Sequence, residues 1–391
     1  MKHPTPTRSI SVTILIVLAS LAAFQRPCIA HPWKADHDHH HHDHNHNHRH
    51  PTIPSHSSTT ISPTRVVSQA PALAIAAAVV ANAANAPATA KSFLLFPNLE
   101  LKFDRDHLYV GSNGLPAHPM MIGITNWQQQ VPLPQNYTGD NAWRIPLNPI
   151  PAASPAMIDD RFLRGAIALA VNGIPIFNPQ NNRGEISYEI GELDQWGGHC
   201  GRADDYHYHI APLHLQNTVG KGRPIAFALD GYPIYGLTEP DGSAVRNLDA
   251  CNGHHQPGLG YHYHASNQYP YVIGGFHGQI NEVEGQVDPQ PRAQPVRPAA
   301  TPLRGAKITK FEAINPTTYK LSYTLGADQH SISYTIKPDN VYEFTYDNST
   351  AGTTTESYTP RPRGQDRNRP PRRDAGTRPP RPTPSSPKPT N

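Results

Sequence analysis

Cysteine is scarce in this chain, with three in 391 residues. Cys28 falls in the N-terminal stretch, so the body holds only Cys200 and Cys251. The longest apolar run, Ile10 to Phe24, falls short of the roughly 20 residues a membrane-spanning helix needs. Helical spacing is nearly absent: the body offers at most one short amphipathic stretch, near Ala156 to Leu163. The sequence also lacks a Gly-rich phosphate loop, a Gly-x-Ser-x-Gly elbow and a His-Glu-x-x-His pair. Nucleotide use and the common hydrolase routes therefore have no motif behind them.

The two ends are written differently from the middle. Lys2 and Arg8, then the apolar run, then Cys28-Ile-Ala30 spell a secretory signal over residues 1–30, cleaved after Ala30. That places the mature chain in a secreted, periplasmic or cell-envelope setting. Residues 31–90 are low in complexity. Nine histidines lie between His37 and His50, a tract that either captures Zn, Cu or Ni loosely or serves as a polar spacer. An Ala-rich stretch, Pro71 to Ala90, follows. At the other end, residues from Arg361 onward carry eight Arg and one Lys against two Asp, a local charge of +7. With +3 for the whole chain, the remainder is −4. A tail of Arg, Pro, Ser and Thr cannot bury a core, so residues 351–391 are expected to be disordered. The tail is either a solvated end or a means of adhering to an anionic surface.

The middle, residues 91–287, reads as β. Phe93 to Phe96, Leu99 to Phe103 and His107 to Val110 are short strand-like runs. Two stretches then nearly repeat: Ile167-Ala-Leu-Ala-Val-Asn-Gly-Ile-Pro-Ile-Phe177 and Ile225-Ala-Phe-Ala-Leu-Asp-Gly-Tyr-Pro-Ile-Tyr235. Each has an apolar run, an Asn-Gly or Asp-Gly signal, and a second apolar run, which predicts a hairpin whose turn takes positive φ. The repeat extends over 166–215 and 224–278. A Pro-rich linker, 288–302, leads to a second unit, 303–350. There Lys307 to Phe311, Thr318 to Tyr323, Ser331 to Ile336 and Tyr342 to Tyr346 alternate polar with apolar residues. Four such strands predict an antiparallel meander too small for a comfortable core of its own, packed on the main body or on a partner. The expected fold is thus mainly β: a duplicated β-rich domain, a small C-terminal antiparallel unit, and disordered ends.

Both repeats end in the same histidine spacing. His199 is followed eight and ten residues later by His207 and His209, and His254 likewise by His262 and His264. On a strand, alternate side chains share a face, so each His-x-His pair points one way and its tyrosines the other. The two Cα atoms are about 6.6 Å apart, close enough for imidazoles to converge on one ion. All-imidazole sets suit Zn or Cu, whereas Ca and Mg want oxygen. The candidate ligands are His199, His207, His209, His254, His262 and His264. Asp194 and Asp249, at matching places, either orient a ligating imidazole or simply form turns. His118 and His277 are further candidates, and His255 a substitute for His254. The like faces of two related hairpins are expected to pack together, bringing His207, His209, His262 and His264 to one shared site. Cys200 and Cys251 then fall close enough for a disulfide, the default for an exported chain, with thiolate ligation as the other option.

The Tyr-His-Tyr-His segments carry a resemblance. Gly111-Ser-Asn-Gly-Leu-Pro-Ala-His118, Asp230-Gly-Tyr-Pro-Ile-Tyr-Gly236, Cys251-Asn-Gly-His254 and Gly260-Tyr-His-Tyr-His264 resemble the YHYH-domain proteins, as do Tyr269-Pro-Tyr271 and Gly275-Phe-His-Gly278. The resemblance implies an exported domain and assigns it no activity. The family pattern places a cysteine three residues before its first motif histidine, as Cys251 stands before His254. In the first repeat Trp196 occupies that place and Cys200 follows His199. Three functions follow from the residues. The first is an exported Cu- or Zn-binding protein, with the His-rich leader as a collector. The second is a copper- or zinc-dependent enzyme, needing an open coordination position and a cleft such as Tyr232, Tyr235 and Tyr269 could line. Its acid–base groups would come from Asp230, Glu239 and Asp249. The third is a metal-free structural or adhesion module of the cell envelope.

Overall fold

The computed structural model describes residues 12–14 and 86–360. Apart from those three residues the predicted signal lies outside the described residues, as do the His-rich tract, most of the Ala-rich stretch and the Arg-rich tail from 361. Among the described residues the architecture is mainly β, and the helices are single turns such as Ala90–Phe93 and Gln216–Val219. Strands β1 (Val12–Ile14), β2 (Glu100–Phe103), β3 (His107–Gly111) and β4 (Trp143–Pro146) form one sheet in that order. Strand β5 (Pro151–Met157) is paired elsewhere.

Eight further strands build the central sheet: β6 (Ala166–Ala170), β7 (Pro175–Phe177), β8 (Gly198–Cys200), β9 (Tyr206–Tyr208), β10 (Ala226–Ala228), β11 (Pro233–Tyr235), β12 (Gly253–Gln256) and β13 (Gly260–His264). Their order is β12-β13-β11-β10-β6-β7-β9-β8, which reads the same from either edge when the two repeats are exchanged. At the centre β6 and β10 run antiparallel with Leu169 opposite Phe227, and Ala168 and Ala170 opposite Ala228 and Ala226. Corresponding residues of the two stretches therefore meet across one point. Every residue of β6 and β10 is buried, as expected of continuous apolar runs in the middle of a sheet.

The hairpin turns differ from expectation in one detail. Gly173 and Gly231 take φ of 80° and 97°, whereas Asn172 and Asp230 do not have positive φ. The Gly173 N–H reaches the Ala170 carbonyl, and the Ala170 N–H the Ile174 carbonyl; Gly231, Ala228 and Tyr232 repeat this. Only the glycine needs the left-handed region, so the turn closes with a glycine bulge rather than as a two-residue loop.

Strand β14 (Gly275–Gly278) pairs with β5, and β15 (Glu282–Val283) with β16 (Gln286–Val287). The stretch Ala156 to Leu163 is not helical. It finishes β5, an edge strand that tolerates Pro155, and then Asp160 and Phe162 adopt positive φ, which no right-handed helix allows. Nor is Phe93 to Phe96 a strand. Its start closes the turn Ala90–Phe93, which seats the buried Phe93 ring on Phe227, with centroids 5.6 Å apart.

The C-terminal unit is a meander of five strands: β17 (Ala306–Asn315), β18 (Thr318–Leu325), β19 (Asp328–Ile336), β20 (Tyr342–Asp347) and β21 (Thr353–Tyr358). The fifth lies in the segment expected to begin the unstructured tail, where Thr353-Thr-Thr-Glu-Ser-Tyr358 pairs fully with β20. The unit packs on the main body. Backbone bonds join Gly123 to Ile308 and Ile308 to Ile124, and the Tyr334 hydroxyl donates to the Pro132 carbonyl. The Pro-rich linker is clamped rather than loose. Arg297 donates to both carboxylate oxygens of Asp204 at 2.8 and 2.9 Å, to the Gln129 carbonyl at 2.7 Å, and lies 4.8 Å over the Phe344 ring. Both partners of this ion pair are buried.

Removing one partner leaves the other charged and desolvated. Arg297→Ala is expected to lower the unfolding free energy by about 3–5 kcal/mol, whereas Arg292→Ala, at an exposed linker position, should change it by less than about 0.5 kcal/mol. Urea denaturation of the two variants checks this, and a loss at Arg297 no larger than that at Arg292 would refute the clamp.

Candidate metal centres

Strand pairing brings the histidines together. His199 on β8 stands opposite His207 on β9, and His254 on β12 opposite His262 on β13. Directly opposed side chains project from the same face. His209 and His264 lie two residues beyond His207 and His262, on that same face again. The ring centroids of His199, His207 and His209 are 4.8 to 5.0 Å apart, and those of His254, His262 and His264 are 4.7 to 5.3 Å apart. The glycine before each first histidine has a steric cause. A Cβ at Gly198 would sit 2.4 Å from the Tyr206 hydroxyl oxygen, and one at Gly253 2.5 Å from that of Tyr261.

Backbone carbonyls decide which way each imidazole presents its lone pair. Nδ1 of His209 bonds the Asn178 carbonyl at 2.5 Å and Nδ1 of His264 the Gly236 carbonyl at 3.0 Å. Nδ1 of His207 and His262 bond the carbonyls of Asp205 and Gly260, and that of His254 the Arg246 carbonyl. A carbonyl only accepts, so in each case Nδ1 carries the proton and a neutral ring keeps its lone pair on Nε2. Nε2 of His209 lies 3.0 Å from Nε2 of His199, and Nε2 of His262 lies 3.0 Å from Nε2 of His254. Tetrahedral metal–nitrogen bonds of 2.0–2.1 Å would place ligand nitrogens about 3.3 Å apart. In each group all ligand atoms lie within 4.8 Å of one another. Burial, reinforced by His207, pushes His209 down to about 3, and burial holds His199 well below and His264 below the usual range. Neutral, inward-facing imidazoles are the form a metal ion takes.

The second group has a fourth member. Glu239, 3% exposed, places Oε1 3.1 Å from Nε2 of His254 and Oε2 3.3 Å from Nε2 of both His262 and His264. Nε2 of His264 is fully buried and has no hydrogen-bond partner. Sequence reasoning treated Glu239 only as an acid–base candidate. The available signal was its place 58 residues after Asn181, the offset that relates Ile167 to Ile225.

The two groups do not converge. They occupy opposite ends of the central sheet, with β9 and β13 separated by four strands, about 24 Å along the sheet at ordinary strand spacing. The halves join edge to edge through β6 and β10 instead of packing face on face. For the same reason Cys200 and Cys251 stand at opposite sheet edges, buried and free. Burial pushes the Cys251 thiol up to about 11, and neither sulfur belongs to a ligand group.

The opposite face of the motif belongs to the tyrosines. Tyr206 donates to Asp194 at 2.8 Å and Tyr261 to Asp249 at 2.9 Å. Each Asp also accepts backbone N–H groups of its own turn, so both are turn formers and phenol acceptors, and neither orients an imidazole. Asp230 accepts from Tyr263 at 2.5 Å, with burial raising its carboxyl to about 6; Asn172 at the matching place donates to Tyr208. His118 bonds Tyr208 at 2.7 Å and His277 stacks on Tyr261 at 3.5 Å, both on the tyrosine side. His255 is exposed and alternates away from His254. Among the three tyrosines proposed to line a cleft, Tyr235 alone contacts a triad, its ring 5.3 Å from that of His262. Tyr232 packs on Tyr261 and Tyr269 donates to Asp159.

Comparison with curated proteins and with solved structures finds no match. A family model described as YHYH protein matches residues 142–247, a stretch that runs from β4 through His199, His207 and His209 to Glu239 and its turn. This chain is a YHYH-domain-containing protein.

Proposed function

We propose that this is an exported metal-binding protein of the YHYH type that holds copper or zinc in two separate histidine sites. One observation carries the reading: in each site buried Nε2 atoms face one another at 3.0 Å, with backbone carbonyls holding Nδ1 on the far side of the His209, His254 and His262 rings. Two lone pairs at that distance repel, and either a shared proton or a metal ion held by both nitrogens relieves the repulsion. Neutral imidazoles with at most one carboxylate suit borderline metals such as Zn and Cu, and offer too few oxygens for Ca or Mg. Export rests on the N-terminal signal pattern, and the nine histidines between His37 and His50 act as a weak collector that raises the metal concentration near the tighter sites. The Arg-rich tail supplies a second, electrostatic attachment to anionic cell-surface polymer.

Elemental analysis of the full chain, dialysed against a chelator strong enough to strip the His tract, should find about two Cu or Zn per molecule, one for each buried ligand set. Retention well below one ion, in protein whose circular dichroism matches the untreated chain, would discard the reading.

The separation of the sites makes their losses independent. His209→Gln and His264→Gln should each remove about one ion, and the double variant about two, because ligands this far apart share no partner. A single substitution that empties both sites would contradict the geometry.

A further inference from the structure

The two halves are alike in their histidines and unlike in what completes the shell. Asn181 and Glu239 occupy equivalent turns. The Asn181 N–H bonds the Glu185 carbonyl and the Gly184 N–H the Asn181 carbonyl, both at 2.8 Å. The Glu239 N–H bonds the Ser243 carbonyl at 3.0 Å and the Gly242 N–H the Glu239 carbonyl at 2.9 Å. Isolated bridges, Gln180 with Ile186 and Thr238 with Ala244, flank both. From this place Glu239 reaches all three histidines of its half. Asn181 does not. Its Oδ1 accepts from the N–H groups of Arg183 and Glu185, and its Nδ2 donates to Glu185 and Glu192. The buried Glu192 is occupied as well, by Arg183, Ser187 and Asn181.

The electrostatics of the two sites therefore differ. A divalent ion among His254, His262, His264 and Glu239 leaves a net charge of +1. The same ion among His199, His207 and His209 leaves +2 within the ligand set, with the Asp205 carboxylate outside it, 3.6 Å from Nδ1 of His207, and with His207 and His209 each only 3% exposed. Holding a doubly charged ligand set in such a place is less favourable than holding a partly neutralised one, and a three-ligand site has a vacant tetrahedral position for an anion to fill. His199 is the partly exposed member of the set.

We infer that the two centres are functionally distinct: the Glu239 site is coordinatively closed, and the His199–His207–His209 site binds a small exogenous anion, hydroxide or another, as its fourth ligand. This rests on the metal-binding reading above.

Cobalt(II), which takes tetrahedral nitrogen and oxygen sites and has visible bands that zinc lacks, reports the two shells separately, with azide as the anion. Full chains carrying His254→Gln, His262→Gln and His264→Gln together keep only the open site; His199→Gln, His207→Gln and His209→Gln keep only the closed one. Azide should shift the cobalt bands saturably in the first protein and leave the second unchanged. Glu239→Gln in the second should install the response, and Asn181→Glu in the first should suppress it. Cobalt retained by both proteins with equal azide responses, or with none in the first, overturns this inference while leaving metal binding intact. Cobalt retained by neither removes the metal reading and this one with it.

Discussion

Carbonyl groups on the outer side of five of the six imidazoles govern this protein's candidate chemistry. By accepting the Nδ1 proton they leave histidine no choice of tautomer, and by their positions on the turns they aim Nε2 inward. The carbonyls of Asn178 and Gly236, which hold His209 and His264, follow directly on β7 and β11. Those strands therefore fix the third histidine of each set as firmly as the strand that carries it. The ring packed beside each set, Phe177 against His207 and Tyr235 against His262, belongs to the same two strands. Ligand, orienting carbonyl and covering ring thus come from adjacent strands of one sheet and leave little slack in the geometry.

The tyrosines explain why the motif alternates. Each faces away from the histidines and ends in a hydrogen bond: to Asp194 and Asn172 in one half, to Asp249 and Asp230 in the other. A buried ring with an unmatched hydroxyl would destabilise the fold, so these partners secure the strand register, and the register places the histidines opposite one another. A slip of one residue would exchange the two faces completely.

Much of the local structure was legible in the sequence. The apolar runs at Ile167 and Ile225, the glycine turns that follow, and the opposed histidines all depend on spacing of two or on residues next to each other. What could not be read was set by pairing across long distances. Nothing in the repeat says that β6 and β10 meet edge to edge, yet that single choice separates the two histidine groups and parts Cys200 from Cys251. Glu239 could not be read as a ligand because its side chain enters the site from a Glu-Pro-Asp-Gly turn, which reads as an ordinary loop. The strand Thr353–Tyr358 was overlooked because it contains no aliphatic residue and takes its order from pairing with β20. Of the two roles open to Asp194 and Asp249, turn former and imidazole orienter, the structure shows the first, and strand alternation turns the tyrosine hydroxyls toward them as well.

Strands β8 and β12 are the outermost strands of the central sheet, so each is held by a neighbour on one side only. The His199–His207 and His254–His262 pairs lie across those last two ladders. An ion held at either one would act as a rivet through the selvedge of the sheet, fastening a short border strand that has only three or four residues of its own with which to hold on. Without such a rivet the sheet would fray from both borders inward and bare the unpaired N–H and C=O groups that invite another chain to add a strand.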